Sequence, residues 1–437
     1  MSILSQSVEP STEFLGRRDW RLLLAKPSFQ VIGGILVAAF APAYWRILAT
    51  EVTFRDAWLN TTLLVVSTVI LLSYFTFTNL SKFPNATEGS FIFVTVAVWY
   101  GLGAFVLLFS RVNYSGYLFL TSFIISIVWF YLIYFWTLRA KIPKFAIIPG
   151  GAVDRLVSLP SVEWSMLKEP RINGDIVNGV VADLRANVGP EWERFIADVS
   201  LAGIPVFHSK QAYEALTGRV EIEHLSENTF GSLIPGLAYV GAKKIFDLIG
   251  ALILIPCLSP FFLVIAVAIR WDSPGPVFFR QERVGYRGKT FTVYKFRTMK
   301  HEPDRIESDA APHEVMTVDD DDRVTRVGRW LRSKRLDEFP QMINILRGEM
   351  SFIGPRPEAV ALSQWYQSEL PFYVYRHVVR PGITGWAQIN QGHVTDADLV
   401  LGKLHYDFFY IKNFSPWLDV LITLKTLRIM VRGIGAR

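Results

Sequence analysis

KKIFDLIGALILIPCLSPFFLVIAVAIR, Lys243 to Arg270, is apolar enough to enter a bilayer, but Pro256 and Pro260 stand in its middle with Ser259 between them. Each proline removes a backbone donor and disfavours a straight helix. The flanks say more. Lys243 and Lys244 lead into the run, and Arg270, Arg280, Arg283, Arg287 and Lys289 follow it. Basic residues gather on the cytoplasmic side of a membrane, so both ends read as cytoplasmic. A helix over residues 244–269 that enters, breaks at Ser259–Pro260 and returns on the same side meets this pattern; a kinked spanning helix is the alternative. The choice decides on which side the 167 residues after Arg270 work.

Upstream lie apolar runs at 31–49, 58–78, 91–110 and 117–137, each near the ~20 residues that cross a bilayer. The first is the least regular, with Pro42 and Arg46 inside it. Arg17, Arg18, Arg21 and Lys26 precede the first run, Lys82 follows the second, and Arg139, Lys141 and Lys144 follow the fourth. The positive-inside rule then places both termini of the four-helix unit, residues 31–138, in the cytoplasm. Residues 1–30 read as a polar cytoplasmic leader without the pattern of a cleaved signal peptide. A chain that is 51% hydrophobic is too apolar for an ordinary soluble protein, and 437 residues allow two or three domains. The net charge of +6 fits cytoplasmic faces and anionic partners and not nucleic acid. A single cysteine, Cys257, excludes an intrachain disulfide and a Cys-based zinc site.

Residues 139–238 change character to a small cytoplasmic α/β domain. KFAIIPGG predicts a strand ending in a glycine turn, DIVNGVVAD a second strand, PEWERFIADVSLAG an amphipathic helix and IPVFH a third strand. The Gly150–Gly151 turn lacks the full GxGxxG pattern, so the domain reads as a spacer, dimerisation or regulatory module.

Residues 239–437 form the catalytic-looking unit. VFFRQERVGYRGKTFTVYKFRTMK predicts a hairpin around Gly285 to Gly288, with Lys295 and Arg297 two apart and on one face. The acidic stretch Asp304 to Asp322 reads as a solvated loop. RSKRLDEFPQMINILRGEMSFIGPRP, Arg332 to Pro357, follows. It predicts a helix from about Phe339 to Arg347, closed by Gly348, with Asp337 and Glu338 at its start. Arg332 precedes the two acids and Arg356 follows them, held between Pro355 and Pro357. Two carboxylates among fixed arginines suit phosphoryl chemistry with a metal ion. A surface helix with an acidic start, favoured by its dipole, is the alternative. The tail SPWLDVLITLKTLRIMVRG reads as an amphipathic helix of the membrane interface or a core helix.

Taken in order, the proline-broken run with Ser259–Pro260, the strand KFRTM, LRSKRLDEFPQ and GEMSFIGPRP resemble the monotopic phosphoglycosyl transferases, the bacterial sugar transferases. RPGITGWAQ and the YDFFYIKNFSPWLDVLITLKT tail look like the larger members, with undecaprenyl-phosphate galactose or glucose phosphotransferases closest in architecture. The fold this implies is a membrane α+β protein: four transmembrane helices, a small α/β middle domain and a mainly helical catalytic domain with a re-entrant membrane hairpin. The reaction it implies moves a sugar 1-phosphate from a UDP-sugar to undecaprenyl phosphate with release of UMP, as the first membrane step of polysaccharide synthesis. In that resemblance Asp337 matches the nucleophile and Glu338 the Mg2+-associated partner. Arg332 and Arg356 match phosphate-holding arginines, and Lys295 and Arg297 the strand lining the site. Ser259 and Pro260 match the hairpin break. The implied location is the bacterial inner membrane with catalysis on its cytoplasmic face. The four-helix unit and middle domain offer surfaces for a homodimer. The choice of sugar is left to loops after Asp304 or around Trp386. Two other readings are a non-catalytic scaffold for polysaccharide assembly and a different membrane phosphotransferase whose acids only hold metal.

Overall fold

The computed structural model describes residues 26–50, 53–84, 89–138, 144–160, 162–172, 177–221, 235, 237–300, 323–370, 372–391 and 397–432. The leader up to residue 25 and the acidic stretch Asp304 to Asp322 lie outside them. The chain divides into two compact units, Met1–Ala212 and Tyr213–Arg437.

In the first unit each of the four apolar runs is a helix long and apolar enough to cross a membrane: Pro27–Ala49, Ala57–Leu80, Ser90–Phe109 and Gly116–Leu138. Their inner faces meet through Leu59, Val66, Ile70, Val96 and Leu118, with Ala38, Ala39 and Ala43 letting the first helix approach closely. Two interior polar pairs join the helices: the Tyr100 and Ser126 hydroxyls lie 2.8 Å apart, and Trp99 Nε1 donates to Thr76 Oγ1 at 2.9 Å. Leu64, Phe75, Phe105 and Leu108 point outward and stay exposed, as they should on helices that face lipid. Just before Pro42 the helix departs from α geometry: Leu36–Phe40 is π-helical. The wider turn relieves the clash of the Pro42 ring with the carbonyl four residues back.

The α/β part carries four parallel strands, β1 (Lys144–Ile147), β2 (Glu163–Met166), β3 (Gly179–Ala182) and β4 (Val206–His208), in the order β2-β1-β3-β4. The edge strand β2 is absent from the sequence reading, because EWSM is short and has no buried residue to give it a pattern. The amphipathic helix is Pro190–Leu201. The order reverses between β1 and β3, where doubly wound sheets bind ligands. Here the Gly150–Gly151 turn, with φ of 118° and 67°, is filled by the chain itself. The Asp183 carboxylate accepts the Ala152 N–H at 2.9 Å, and that bond, against some burial, holds it below the usual carboxylate range. A carboxylate stands where a phosphate would need backbone donors.

The second unit is built around the helix Leu237–Asp272, which contains Pro256 and Pro260. Helical hydrogen bonding continues past both. Pro260 cannot donate to the Pro256 carbonyl, and Ser259 Oγ donates to it instead at 2.8 Å. The middle of the helix is exposed at Leu252, Ile253, Leu263 and Val264. Each end also has a packed side. Near the start, Ala251 packs with Val293, Ile345 and Met350, while Lys243 Nζ lies 2.6 Å from Asp419 Oδ2. Near the end, Ile265 and Ile269 pack with Phe296 and Leu331. Fully burying such side chains contributes about 1.5–3 kcal/mol each.

The predicted hairpin is present as β5 (Phe278–Val284) and β6 (Thr290–Phe296), antiparallel, with Phe279 opposite Lys295. A helix Arg326–Ser333 follows, its Thr325 cap accepting the Gly328 N–H at 3.0 Å. Gly328 lies so close to the Thr298 carbonyl that any side chain there would collide with it. The expected single helix from Phe339 to Arg347 divides instead into a 3-10 stretch, Leu336–Gln341, and an α-helix, Met342–Leu346. Pro340, inside the first, has no N–H to close an α-turn. β7 (Ser351–Ile353) and β8 (Gly382–Thr384) pair in parallel, with Gly354, Gly382 and Gly385 in backbone-to-backbone contact. The tail helix Pro416–Arg432 buries Leu418, Leu421 and Ile422 and exposes Leu427, so one face is core. Trp386 is only 1% exposed and its indole N–H donates to the Gly218 carbonyl, which makes it core and not a wall for the sugar. The loop after Asp304 lies outside the described residues.

Candidate active site

Arg335 takes a left-handed conformation, φ 53°, and starts the 3-10 stretch that carries Asp337 and Glu338. Successive residues of a 3-10 helix point about 120° apart, so the two carboxylates separate. Glu338 turns inward and is 6% exposed, while Asp337 stays half-buried. Glu338 Oε1 accepts from Arg356 Nη1 at 2.7 Å and from Lys295 Nζ at 3.3 Å. Asp337 makes no hydrogen bond or ion pair with any described residue.

The electrostatics separate them further. Burial pushes the Asp337 carboxyl up, and the Glu338 charge adds to it, against Lys295, Arg356 and Arg332. Burial also works against the Glu338 charge, but Arg356 and Lys295 outweigh it and hold Glu338 below the usual range. Lys295 is pushed down to about 8, first by burial and then by Arg356. One acid is thus a fixed anion inside a cationic clamp. The other is open, and its charge is the costlier one to keep.

Arg332 reaches the site from the helix before it. Its Nε donates to Thr298 Oγ1 at 2.9 Å, and its charge acts on Asp337. Arg297 does not join them. Just past the end of β6, it turns to the end of the long helix and donates to the carbonyls of Ser273 at 2.7 Å and Pro274 at 2.9 Å. There it neutralises helix-end carbonyls, as a cation at a C-terminus does. Two residues on one strand face share a face only while the strand lasts, and β6 stops at Phe296.

A second buried group supports Arg356. Arg376 Nη2 donates to the Arg356 carbonyl at 2.9 Å and to Asp407 Oδ2 at 2.8 Å, and Arg376 Nη1 donates to the Tyr373 hydroxyl at 2.7 Å. Glu358 binds Lys403 and lies 3.8 Å from Arg376. The sequence reading passed over these residues. A signal existed in LHYDFFYI, where one aspartate sits in an aromatic run, because a buried charge needs a partner. Nothing in YVYRHV marks Arg376 as that partner.

Among the described residues no group of three or more His, Cys, Asp or Glu could cage a metal. An ion such as Mg2+ that is shared with substrate phosphates needs only one or two protein carboxylates. The donors on hand are Asp337 and the Glu338 oxygen not engaged by Arg356 and Lys295.

Similarities to one family profile and three known proteins bear on this site. The profile of the bacterial sugar transferase family matches residues 238–433. A UDP-N-acetylgalactosamine-undecaprenyl-phosphate N-acetylgalactosaminephosphotransferase of Aeromonas hydrophila is 42% identical over 95% of this chain and 97% of its own. UDP-glucose:undecaprenyl-phosphate glucose-1-phosphate transferases of Xanthomonas campestris pv. campestris and Escherichia coli (strain K12) are 41% and 42% identical, over 44% and 42% of this chain and 39% of each of theirs.

Proposed function

Because this chain belongs to the bacterial sugar transferase family and is a phosphoglycosyl transferase, we propose that it moves a sugar 1-phosphate from a UDP-sugar to undecaprenyl phosphate and releases UMP. The observation that carries the mechanism is the unequal pair: Glu338 is clamped by Arg356 and Lys295, and Asp337 is open. An Asp337 oxygen attacks the phosphorus that bears the sugar. The bond from that phosphorus to the UMP oxygen breaks and UMP leaves. The sugar phosphate is then an acyl phosphate on Asp337. An oxygen of undecaprenyl phosphate attacks the same phosphorus, frees Asp337 and forms the lipid diphosphate sugar. Covalent transfer lets one site serve two unlike substrates in turn.

A carboxylate approaching a diphosphate meets charge repulsion. Arg332 and Arg356 offset it, and arginine's planar fork suits phosphate oxygens. Glu338, together with the substrate phosphates, would hold a Mg2+ ion, and that ion would supply further neutralisation of the charge on the leaving group. The relative that matches over nearly the whole chain is named for N-acetylgalactosamine, which makes UDP-N-acetylgalactosamine the donor this reading favours.

The site works at the cytoplasmic face of the inner membrane, on a re-entrant helix. Supporting this, both ends of the apolar helix pack on the same compact unit, Ala251 against Ile345 and Met350 and Ile269 against Phe296 and Leu331. A spanning helix would have to hold its ends on opposite sides of a ~30 Å hydrocarbon core.

The test mixes purified protein, Mg2+ and undecaprenyl phosphate with UDP-sugars and measures UMP, with intact-mass detection of the phosphosugar adduct before acceptor is added. Asp337→Asn loses both adduct and turnover. An Asp337→Asn enzyme at full rate would dismiss the covalent route, and absence of UMP with every donor would dismiss the reaction.

A further inference from the structure

A cavity of about 420 Å3, in the size range of small-molecule sites, is lined by neither Asp337 nor Glu338. Val240, Val378 and Phe414 form an apolar wall, and Tyr286, Arg287 and Arg380 stand opposite it in composition. None of Asp337, Glu338, Lys295, Arg332 and Arg356 lines it. It therefore falls outside the catalytic constellation, although His377 and Val379 border both this cavity and the small gap beside Arg356.

Its charge is uneven. Lys243 and Asp247 line it, but Lys243 is already paired with Asp419 at 2.6 Å, and Asp247 lies 3.9 Å from Lys243. Arg287 and Arg380 have no carboxylate partner among the described residues. Both guanidinium groups lie over the Tyr286 ring, at 5.0 and 5.1 Å, and Arg380 Nε donates to the Gly348 carbonyl at 3.1 Å. Arg287 is also held at φ 57° between Gly285 and Gly288. A non-glycine residue in that region is strained, and such strain collects at ligand clamps. Two oriented, unpaired arginines beside an apolar wall suit a phosphate ester attached to hydrocarbon.

The position selects among such ligands. Val240 and Lys243 belong to the first turns of the long apolar helix, and its cytoplasmic flank is where anionic headgroups lie. A nucleotide fits less well, because Tyr286 already carries two guanidinium groups, Phe414 packs against Tyr239 and Tyr410, and His377 against Tyr373. The acceptor of the reaction must present its phosphate to Asp337, which this cavity does not include. We propose that the cavity lined by Val240, Tyr286, Arg287, Val378, Arg380 and Phe414 binds the phosphate end of an anionic glycerophospholipid of the surrounding bilayer.

The full-length protein is purified from vesicles of phosphatidylcholine alone or with phosphatidylglycerol, and retained lipid is counted by native mass spectrometry. Wild type retains phosphatidylglycerol over phosphatidylcholine. Arg287→Gln lowers that preference by about fivefold, and Arg287→Gln with Arg380→Gln abolishes it. Arg287→Lys keeps most of it and controls for folding. Lys168→Gln with Arg194→Gln removes the same charge from exposed positions elsewhere and leaves it unchanged. Asp337→Asn also leaves it unchanged, so the result stands apart from the catalytic reading. Equal retention of both lipids by wild type overturns the proposal. So does displacement of phosphatidylglycerol by inorganic phosphate, which would mean a free-anion site, or by equimolar undecaprenyl phosphate, which would make the cavity part of the acceptor path.

Discussion

Arg356→Ala removes the shorter of the two contacts that hold Glu338, the one at 2.7 Å, and leaves Lys295 at 3.3 Å. Breaking a buried ion pair by deleting one partner costs about 3–5 kcal/mol, because the remaining charge stays buried. Lys295 remains, and the Arg356 side chain is 20% exposed, so we expect the low end, about 3 kcal/mol. For a unit of this size that lowers Tm by about 6–12 °C. Glu338→Gln removes the stranded charge. The double variant is then less destabilised than the sum of the singles, by about 2 kcal/mol. Thermal unfolding in detergent reads all four proteins. The pair also has a pH signature. Glu338 is held below its usual range, so its contribution is present above the unfolded value of about 4.3 and fades as pH falls below it. Arg356→Ala flattens that decline. UMP release drops by about 10²–10³-fold in the same variant, the scale of one lost electrostatic stabiliser. Singles that add within about 0.5 kcal/mol, or an unchanged acid slope, would refute the clamp.

Asp337 is the acid whose charge is disfavoured, and it must be ionised to attack. Turnover therefore falls as pH drops, with a midpoint above the ~3.9 of an ordinary aspartate; a pH–rate profile checks it. Ser259→Ala leaves the Pro256 carbonyl without its donor in lipid and destabilises by about 1 kcal/mol, whereas Ser259→Thr does not, as unfolding in a fixed micelle would report. Gly328→Ala drives a methyl group into the Thr298 carbonyl and detaches the helix that carries Arg332, so soluble yield and activity fall together, where Val327→Ala loses about 1 kcal/mol or less. A cysteine placed at Arg280 is labelled by a membrane-impermeant reagent only after the cytoplasmic side is opened; labelling of intact cells from the periplasm would make the long helix a span.

The helices were legible because long apolar runs admit few other structures, and the hairpin because its strands flank a glycine turn. The two acids were found by their adjacency and by arginines on either side. What escaped detection is specific. EWSM gave no periodic signal for β2. Pro340 shortened the expected helix and, with it, turned Asp337 and Glu338 apart. Spacing puts Arg297 on one face with Lys295 and the resemblance puts both at the site, but the strand ends before Arg297 and the helix end claims its guanidinium. Arg376, Glu358, Lys403 and Asp407 form a group drawn from three separate segments, and only a fold brings them together. The role of Gly354, Gly382 and Gly385 is of the same kind, a close approach between two segments that neither segment announces.

The anchoring of both ends of the apolar helix also fixes a depth. From Ala251, the last residue of the first anchored cluster, to Ser259 there are eight residues, a rise of about 12 Å. On the re-entrant path proposed above, with the chain turned back at Ser259, that is less than half of the ~30 Å hydrocarbon thickness. On that reading the catalytic unit occupies one leaflet only. It adds area to that leaflet without touching the other, and nothing in its seating measures how thick the bilayer is. Lengthening the acyl chains stretches the demand on Ala57–Leu80 and its neighbours but leaves the height of Asp337 above the headgroups where it was.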